Sequence, residues 1–138
     1  MSLSRVLIVN RSYPNAGLEL LKTQVQATVL PYLDYEPESL QEIKKNIKGI
    51  DGLIWNTKHR LTGEILDLAG PQLKAISSMS SGLDHIDQAE VKKRKIPLGN
   101  TPEVLNDSVA DIAVGLLIAA ARRFKEGVRE LESKETKC

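Results

Sequence analysis

The strongest constraint on what this chain folds into is an alternation of short apolar runs with segments whose apolar residues recur at helical spacing. Residues 5–10, Arg-Val-Leu-Ile-Val-Asn, are too short for a helix and rich in β-branched side chains, which suits a buried strand. Pro14 then stands where a first helical turn tolerates proline, and Leu18, Leu21 and Val25 follow at helical spacing. The same grammar repeats. Strands are expected over 26–30, 52–56, 74–78 and 96–98. A helix over 36–47 carries Leu40, Ile43 and Ile47 on one face. A shorter one, capped by Thr62 and stopped by Gly70-Pro71, holds Ile65, Leu66 and Leu68. Asp87 and Glu90, three residues apart, have the spacing of a capping box and open a helix over 88–94. Asn106 or Asp107 caps the last helix, whose broad apolar face is Val109, Ile112, Ala113, Leu116, Leu117 and Ala120. A charged extension takes that helix to residue 133.

Strands that alternate with helices pair in parallel through right-handed crossovers. The expected fold is therefore α/β: a flavodoxin-like, doubly wound parallel sheet of five strands in the order 2-1-3-4-5, with a long C-terminal helix. The expected organisation is a domain over 1–105, the long helix over 106–133 and a frayed polar tail over 134–138.

The 138 residues suffice for one ordinary domain. A net charge of +1 sets up no field that draws nucleic acid or an anionic membrane, and 4% aromatic residues make no stacking platform for bases. The one cysteine, Cys138, excludes a disulfide framework and fits a reducing compartment. Two histidines, His59 and His85, show no zinc-ligand spacing. The longest apolar stretch, residues 109–121, contains Asp111 and falls short of the roughly 20 residues of a membrane span. No secretory leader is evident, and a cytoplasmic protein is expected.

Open parallel sheets bind ligands beyond the carboxyl ends of their strands. That rule selects residues 10–13, 56–59, 78–82 and 100–105. The richest is Ser77-Ser78-Met79-Ser80-Ser81-Gly82. Gly82 permits close approach of the backbone or a positive φ, and successive N–H groups in such a turn cradle small anions, with the Ser80 and Ser81 hydroxyls at hand. The same residues also suit a tight turn that merely closes the strand.

The run from Leu73 through Ser80-Ser81-Gly82-Leu83-Asp84-His85-Ile86-Asp87 resembles the substrate loop of the D-isomer-specific 2-hydroxyacid dehydrogenases. Residues 91–102, ending Pro97-Leu98-Gly99-Asn100-Thr101-Pro102, resemble that family's following helix and strand, and residues 104–123 its long interdomain helix. The Met79-Ser80 and Asp84-His85 pairs are most similar to the glyoxylate reductase/hydroxypyruvate reductase branch. The resemblance implies that Ser81 and Gly82 N–H groups, with Ser80 beside them, hold the carboxylate of a small 2-oxo acid such as glyoxylate or hydroxypyruvate. It implies that Thr57 borders the substrate and that Leu105 and Val109 pack against a nicotinamide. It implies NADPH or NADH as the full-length family's cofactor, with none bound by this chain alone, and a homodimer or a heterodimer with a full-length subunit.

Two positions depart from the family pattern. Lys95 stands where the family has glycine, and Ser81 where an apolar residue is usual. The third departure is larger. No Gly-x-Gly-x-x-Gly spacing occurs, and the family's catalytic arginine, acid and general-acid histidine would follow that loop. His59 and His85 do not match the histidine, so no catalytic residue is assigned in this chain. His85 beside Asp84 is not read as an acid–base pair, because neighbours at a turn point apart. The expectation is a substrate-binding portion without dehydrogenase activity of its own. The rival is an interaction module that pairs with full-length subunits. A phosphoacceptor receiver domain ranks last, since Asn10-Arg11 and Asn56-Thr57 occupy its acidic positions.

Overall fold

The structure, a computed structural model, describes residues 4–9, 13–24, 28–29, 40–56 and 58–133. The chain divides into two compact units, Met1–Pro102 and Glu103–Cys138.

The first unit alternates strand and helix: β1 (Arg5–Ile8), α1 (Asn15–Thr23), β2 (Thr28–Val29), α2 (Leu40–Asn46), β3 (Gly52–Trp55), α3 (Gly63–Ala69), β4 (Ala75–Ser78), α4 (Gln88–Lys93) and β5 (Leu98–Gly99). The strands form one parallel sheet ordered β2-β1-β3-β4-β5. The α/β class is the expected one. The expected starts of the second strand and second helix lie outside the described residues.

Both faces of the sheet are covered, because period-two alternation sends neighbouring side chains to opposite sides. Leu7, Val9, Leu53, Trp55 and Ile76 face a core completed by Ile43 of α2, Ile65, Leu66 and Ala69 of α3, and Val91 of α4. Val6, Ile8 and Ile54 face the other way, onto Leu18 of α1. Two expected core positions stay outside: Leu40 and Leu68 are exposed, and Ala69 takes the inward place near the end of α3. Trp55 is fully buried and its Nε1 donates to the His59 carbonyl at 2.9 Å.

Asp51 staples the starts of three strands. Its carboxylate accepts from the Arg5 N–H at 2.9 Å and pairs with Lys74 Nζ at 2.8 Å, while its own N–H donates to the Arg5 carbonyl. The Arg5 N–H bond, then Lys74, holds the Asp51 carboxyl below its ordinary range. A lowered native value adds stability above the unfolded value, and that contribution is lost as pH falls through the native one. Asp51→Asn is therefore expected to cost stability at neutral pH. The gap from wild type should close as pH drops below about 4, as read from urea midpoints across a pH series.

The ends of α3 and α4 follow local chemistry. Gly70, at φ 95°, ends α3 in a conformation that side chains disfavour. Thr62 sits at the N-cap position of α3, but its side chain makes no capping bond, a departure from expectation. Asp87 does cap α4, accepting from the Glu90 N–H at 3.1 Å. The reciprocal half of the box is not seen, because Arg94 and Lys93 engage the Glu90 carboxylate. Arg94 also reaches Asp67 at 2.5 Å, so the basic run at 92–95 joins α4 to α3.

Lys95 adopts φ 55°, the left-handed conformation that glycine accepts without strain. Ile96 N–H then closes onto the Val91 carbonyl; the pairing with β4 starts where Ile76 N–H donates to the Pro97 carbonyl at 2.9 Å, and β5 is Leu98–Gly99, later than expected. Lys95→Gly is expected to raise stability by about 1 kcal/mol, read as a higher urea midpoint at unchanged slope.

The second unit corrects one expectation. The single helix expected over 106–133 is two, α5 (Asn106–Ala121) and α6 (Phe124–Glu132). Arg123 turns left-handed at φ 54° and its N–H drops to the Ala120 carbonyl, which ends α5. Neither Asn106 nor Asp107 caps α5; Leu105 holds the N-cap position without a side-chain bond. Every side chain of α5 is exposed or half-exposed, among them Val109, Ile112, Leu116 and Leu117, with Val114 and Ile118 away from the expected face. Among the described residues, no helix is long and apolar enough to cross a membrane. The tail, 134–138, lies outside the described residues.

Candidate anion-binding turn at the carboxyl edge of the sheet

β4 runs through the sheet between β3 and β5, so its carboxyl end emerges between two neighbours that can hold it. The turn after it, Met79 to Gly82, is held from both sides. Met79 N–H donates to the Trp55 carbonyl at the end of β3, at 3.3 Å. From beyond β5, Thr101 N–H donates to the Ser80 carbonyl at 3.0 Å, and Asn100 Nδ2 to the Ser81 carbonyl at 2.8 Å.

A third carbonyl is held from within. Ser80 Oγ donates to the Gly82 carbonyl at 2.7 Å. Ser80 Oγ lies 2.6 Å from Ser78 Oγ, which lies 3.1 Å from His85 Nε2. Ser78 is fully buried, so its hydroxyl needs these partners; unsatisfied, it would cost about 1–3 kcal/mol. His85 is brought there by the segment that follows: Leu61 N–H donates to the His85 carbonyl at 2.8 Å and Asp87 N–H to the Leu61 carbonyl at 2.9 Å.

The consequence for the turn follows from the flat peptide group. In a trans peptide the N–H points opposite to the C=O it shares a plane with. Each held carbonyl therefore turns the next N–H away from its donor, at Ser81, Gly82 and Leu83 in turn. Among the described residues, the Ser81 and Gly82 N–H groups find no protein acceptor. Unmatched amide donors in a rigid turn attract a small anion.

Gly82 is not at positive φ, contrary to one of the two roles open to it. A Cβ there would meet only Asp84 Oδ2 at 3.4 Å, an ordinary contact. Of the two expected roles, close approach of the backbone to a ligand is the one that a glycine without positive φ could still serve. Beside the turn lies a cleft of about 350 Å³ lined by Tyr13, Ile54, Ser77, Met79 and Thr101, among others.

The expected site residues fall into three groups. Ser80, Ser81 and Gly82 share this turn. Thr57 lies outside the described residues; its neighbour Asn56 is buried and accepts from Lys58 N–H at 3.1 Å. Leu105 and Val109 are exposed at the start of α5, in the second unit. Asp84 is exposed and makes no hydrogen bond to His85, as expected of adjacent turn residues. Sequence reasoning placed Ser78 and His85 in this stretch and Asn100 at a neighbouring strand end, but gave none of them a part in holding the turn. Ser78 had a signal: two residues after Ile76 it shares that residue's inward face of β4, while Ser77 points out, which puts a hydroxyl at an inward strand position.

A family model described as "D-isomer specific 2-hydroxyacid dehydrogenase, catalytic domain" matches residues 6–136. The human glyoxylate reductase/hydroxypyruvate reductase is 36% identical over 127 residues, covering 92% of this chain and 39% of that protein. The glyoxylate reductase of Thermofilum pendens is 41% identical over 118 residues, 86% of this chain and 34% of its own length. The chain thus spans well under half the length of the curated relatives it matches. Among solved structures, the TT0316 protein from Thermus thermophilus has a TM-score of 0.81 at 32% identity, over 97% of this chain and 42% of that one. A D-lactate dehydrogenase from Aquifex aeolicus, solved with NAD and lactic acid, shares the fold at a TM-score of 0.74 and 22% identity, over 96% of this chain and 38% of its own.

Proposed function

The chain belongs to the D-isomer-specific 2-hydroxyacid dehydrogenase family, and on that premise we propose that it is the substrate-binding portion of a glyoxylate reductase/hydroxypyruvate reductase-like enzyme, inactive by itself. The observation that carries the reading is the turn in which the Ser80 and Ser81 carbonyls are held by Thr101 and Asn100, with the Gly82 carbonyl held after them by Ser80, so that the Ser81 and Gly82 N–H groups face away from these donors and find no acceptor among the described residues. They receive the carboxylate of a 2-oxo acid. Two charge-assisted hydrogen bonds of about 1.5–3 kcal/mol each, set against an association cost of about 4 kcal/mol or more, leave at most about 2 kcal/mol, a Kd of tens of millimolar or weaker.

A nicotinamide dinucleotide needs an apolar wall for its ring and a turn for its diphosphate. Leu105 and Val109 suit the wall. The 138 residues contain no Gly-x-Gly-x-x-Gly turn, so they do not fit the whole cofactor, and no hydride step is assigned to this chain. A steady-state assay of the purified chain with glyoxylate or hydroxypyruvate and either NADPH or NADH is expected to show no turnover. Turnover by the chain alone would sink the reading.

A second reading is favoured by the second unit. A helix apolar on most of its sides is ordinarily covered, yet α5 exposes Val109, Ile112, Val114, Leu116, Leu117 and Ile118. We infer that this unit pairs with a second copy or with a full-length subunit of the same family.

A further inference from the structure

Every bond in the chain from His85 to Gly82 can be given a direction. A carbonyl oxygen only accepts, so the Ser80 hydroxyl spends its single hydrogen on the Gly82 carbonyl. Toward Ser78, Ser80 Oγ therefore accepts, and the Ser78 hydroxyl spends its hydrogen there. Toward His85, Ser78 Oγ has only lone pairs left, so His85 Nε2 must carry a hydrogen and donate it. The order runs one way: His85 Nε2–H to Ser78, Ser78 to Ser80, Ser80 to the Gly82 carbonyl. Neutral His85 protonated on Nδ1 alone cannot make this chain, whereas the Nε2–H tautomer and the imidazolium both can.

Resting on the proposed carboxylate site, we propose that His85 is a positioning residue for it, acting through Ser78 and Ser80 to hold the peptide that follows Gly82. Among the described residues, the His85 ring makes its hydrogen bond to Ser78 and none to the turn's N–H groups. Its part is to keep the buried Ser78 hydroxyl pointing at Ser80, which keeps the Ser80 hydroxyl on Gly82. Adjacent hydroxyls in such a chain polarise one another, so loss at the His85 end is felt at the far end. The Leu61 bridge, which grips His85 and Asp87 through their backbones, holds the imidazole's segment in place independently of its ring. The side chain can therefore be changed while its backbone stays anchored.

The test uses the intact chain and oxalate, a stable dicarboxylate probe. His85→Ala removes the donor, and His85→Gln keeps an N–H donor at nearly the same reach. Calorimetric titration is expected to show oxalate Kd rising about 5- to 10-fold in His85→Ala, the size of one lost hydrogen bond. The affinity should return toward wild type in His85→Gln, and Ser78→Ala should match His85→Ala. Nitrogen-15 NMR of the wild-type imidazole is expected to show Nε2 protonated when the ring is neutral. Equal oxalate affinity in all four proteins, or a neutral ring protonated on Nδ1, would overturn the positioning role while leaving the carboxylate site standing. No oxalate binding by the wild type would overturn the site itself and the role with it, and the two failures are told apart by that wild-type titration. A loss in His85→Ala that His85→Gln does not restore would also count against the relay, because bulk alone would then explain it.

Discussion

Trp55→Ala is expected to lower the stability of the first unit by about 3–5 kcal/mol, the range for emptying a large aromatic site in a packed core. Trp55 is fully buried in β3, among Leu7, Leu53, Ile65 and Ile76 of the larger core cluster. Two losses add. The indole's apolar surface returns no burial energy, and the His59 carbonyl loses the Nε1–H that reaches it at 2.9 Å. A loss of this size is a large fraction of the 5–15 kcal/mol that a domain commonly has, so the variant should be partly unfolded at room temperature. Trp55→Phe keeps most of the volume and forfeits the hydrogen bond, and should lose less than half as much. Urea unfolding followed by circular dichroism reads both, since Trp55 is the sole tryptophan and its fluorescence disappears with it. A Trp55→Ala midpoint within error of wild type would mean that the core is not packed as described.

The second large effect concerns association. Leu117 is 69% exposed in the chain by itself, so Leu117→Asp should leave the helix content and the unfolding midpoint of the isolated chain nearly unchanged. If α5 is the pairing surface, the same change places an unpaired carboxylate in a desolvated contact. The expected loss is at least about 2 kcal/mol, or roughly 30-fold in affinity, in a mixed complex with a full-length glyoxylate reductase/hydroxypyruvate reductase. Sedimentation of the tagged chain with that partner reads it. A wild-type chain that stays monomeric in all mixtures would remove the pairing proposal, and an undiminished complex with Leu117→Asp would move the surface elsewhere.

The architecture was legible because the period of the apolar pattern changes from strand to helix along the first unit. Leu7, Leu53 and Ile76 sit in short continuous runs, whereas Ile43 and Ile47, or Leu18 and Leu21, recur at three or four residues. Binary pattern of this kind decides fold class before any packing detail. Element ends were less legible, for local reasons. β5 begins late after Lys95 turns left-handed, a turn that the residue type alone does not signal and that only the family's glycine at this position marked. The break between α5 and α6 is of the same kind, an arginine at positive φ amid alanines and charges that all favour helix.

The turn itself was legible in outline. The serine-rich run ending at Gly82 and the strand-end rule both led to it. What sequence could not supply was the set of holding groups. Asn100 and Thr101 reach the turn from another strand's end, and His85 reaches Ser78 only because the Leu61 bridge folds that segment back. These are tertiary placements, and no local spacing encodes them.

The most direct measurement is a nitrogen-15 amide spectrum of the chain titrated with oxalate. The carboxylate reading predicts that the Ser81 and Gly82 amide signals move furthest and saturate together, with a midpoint of tens of millimolar or above. Largest shifts at residues away from the Met79–Leu83 turn, or no saturable shift at all, would contradict it.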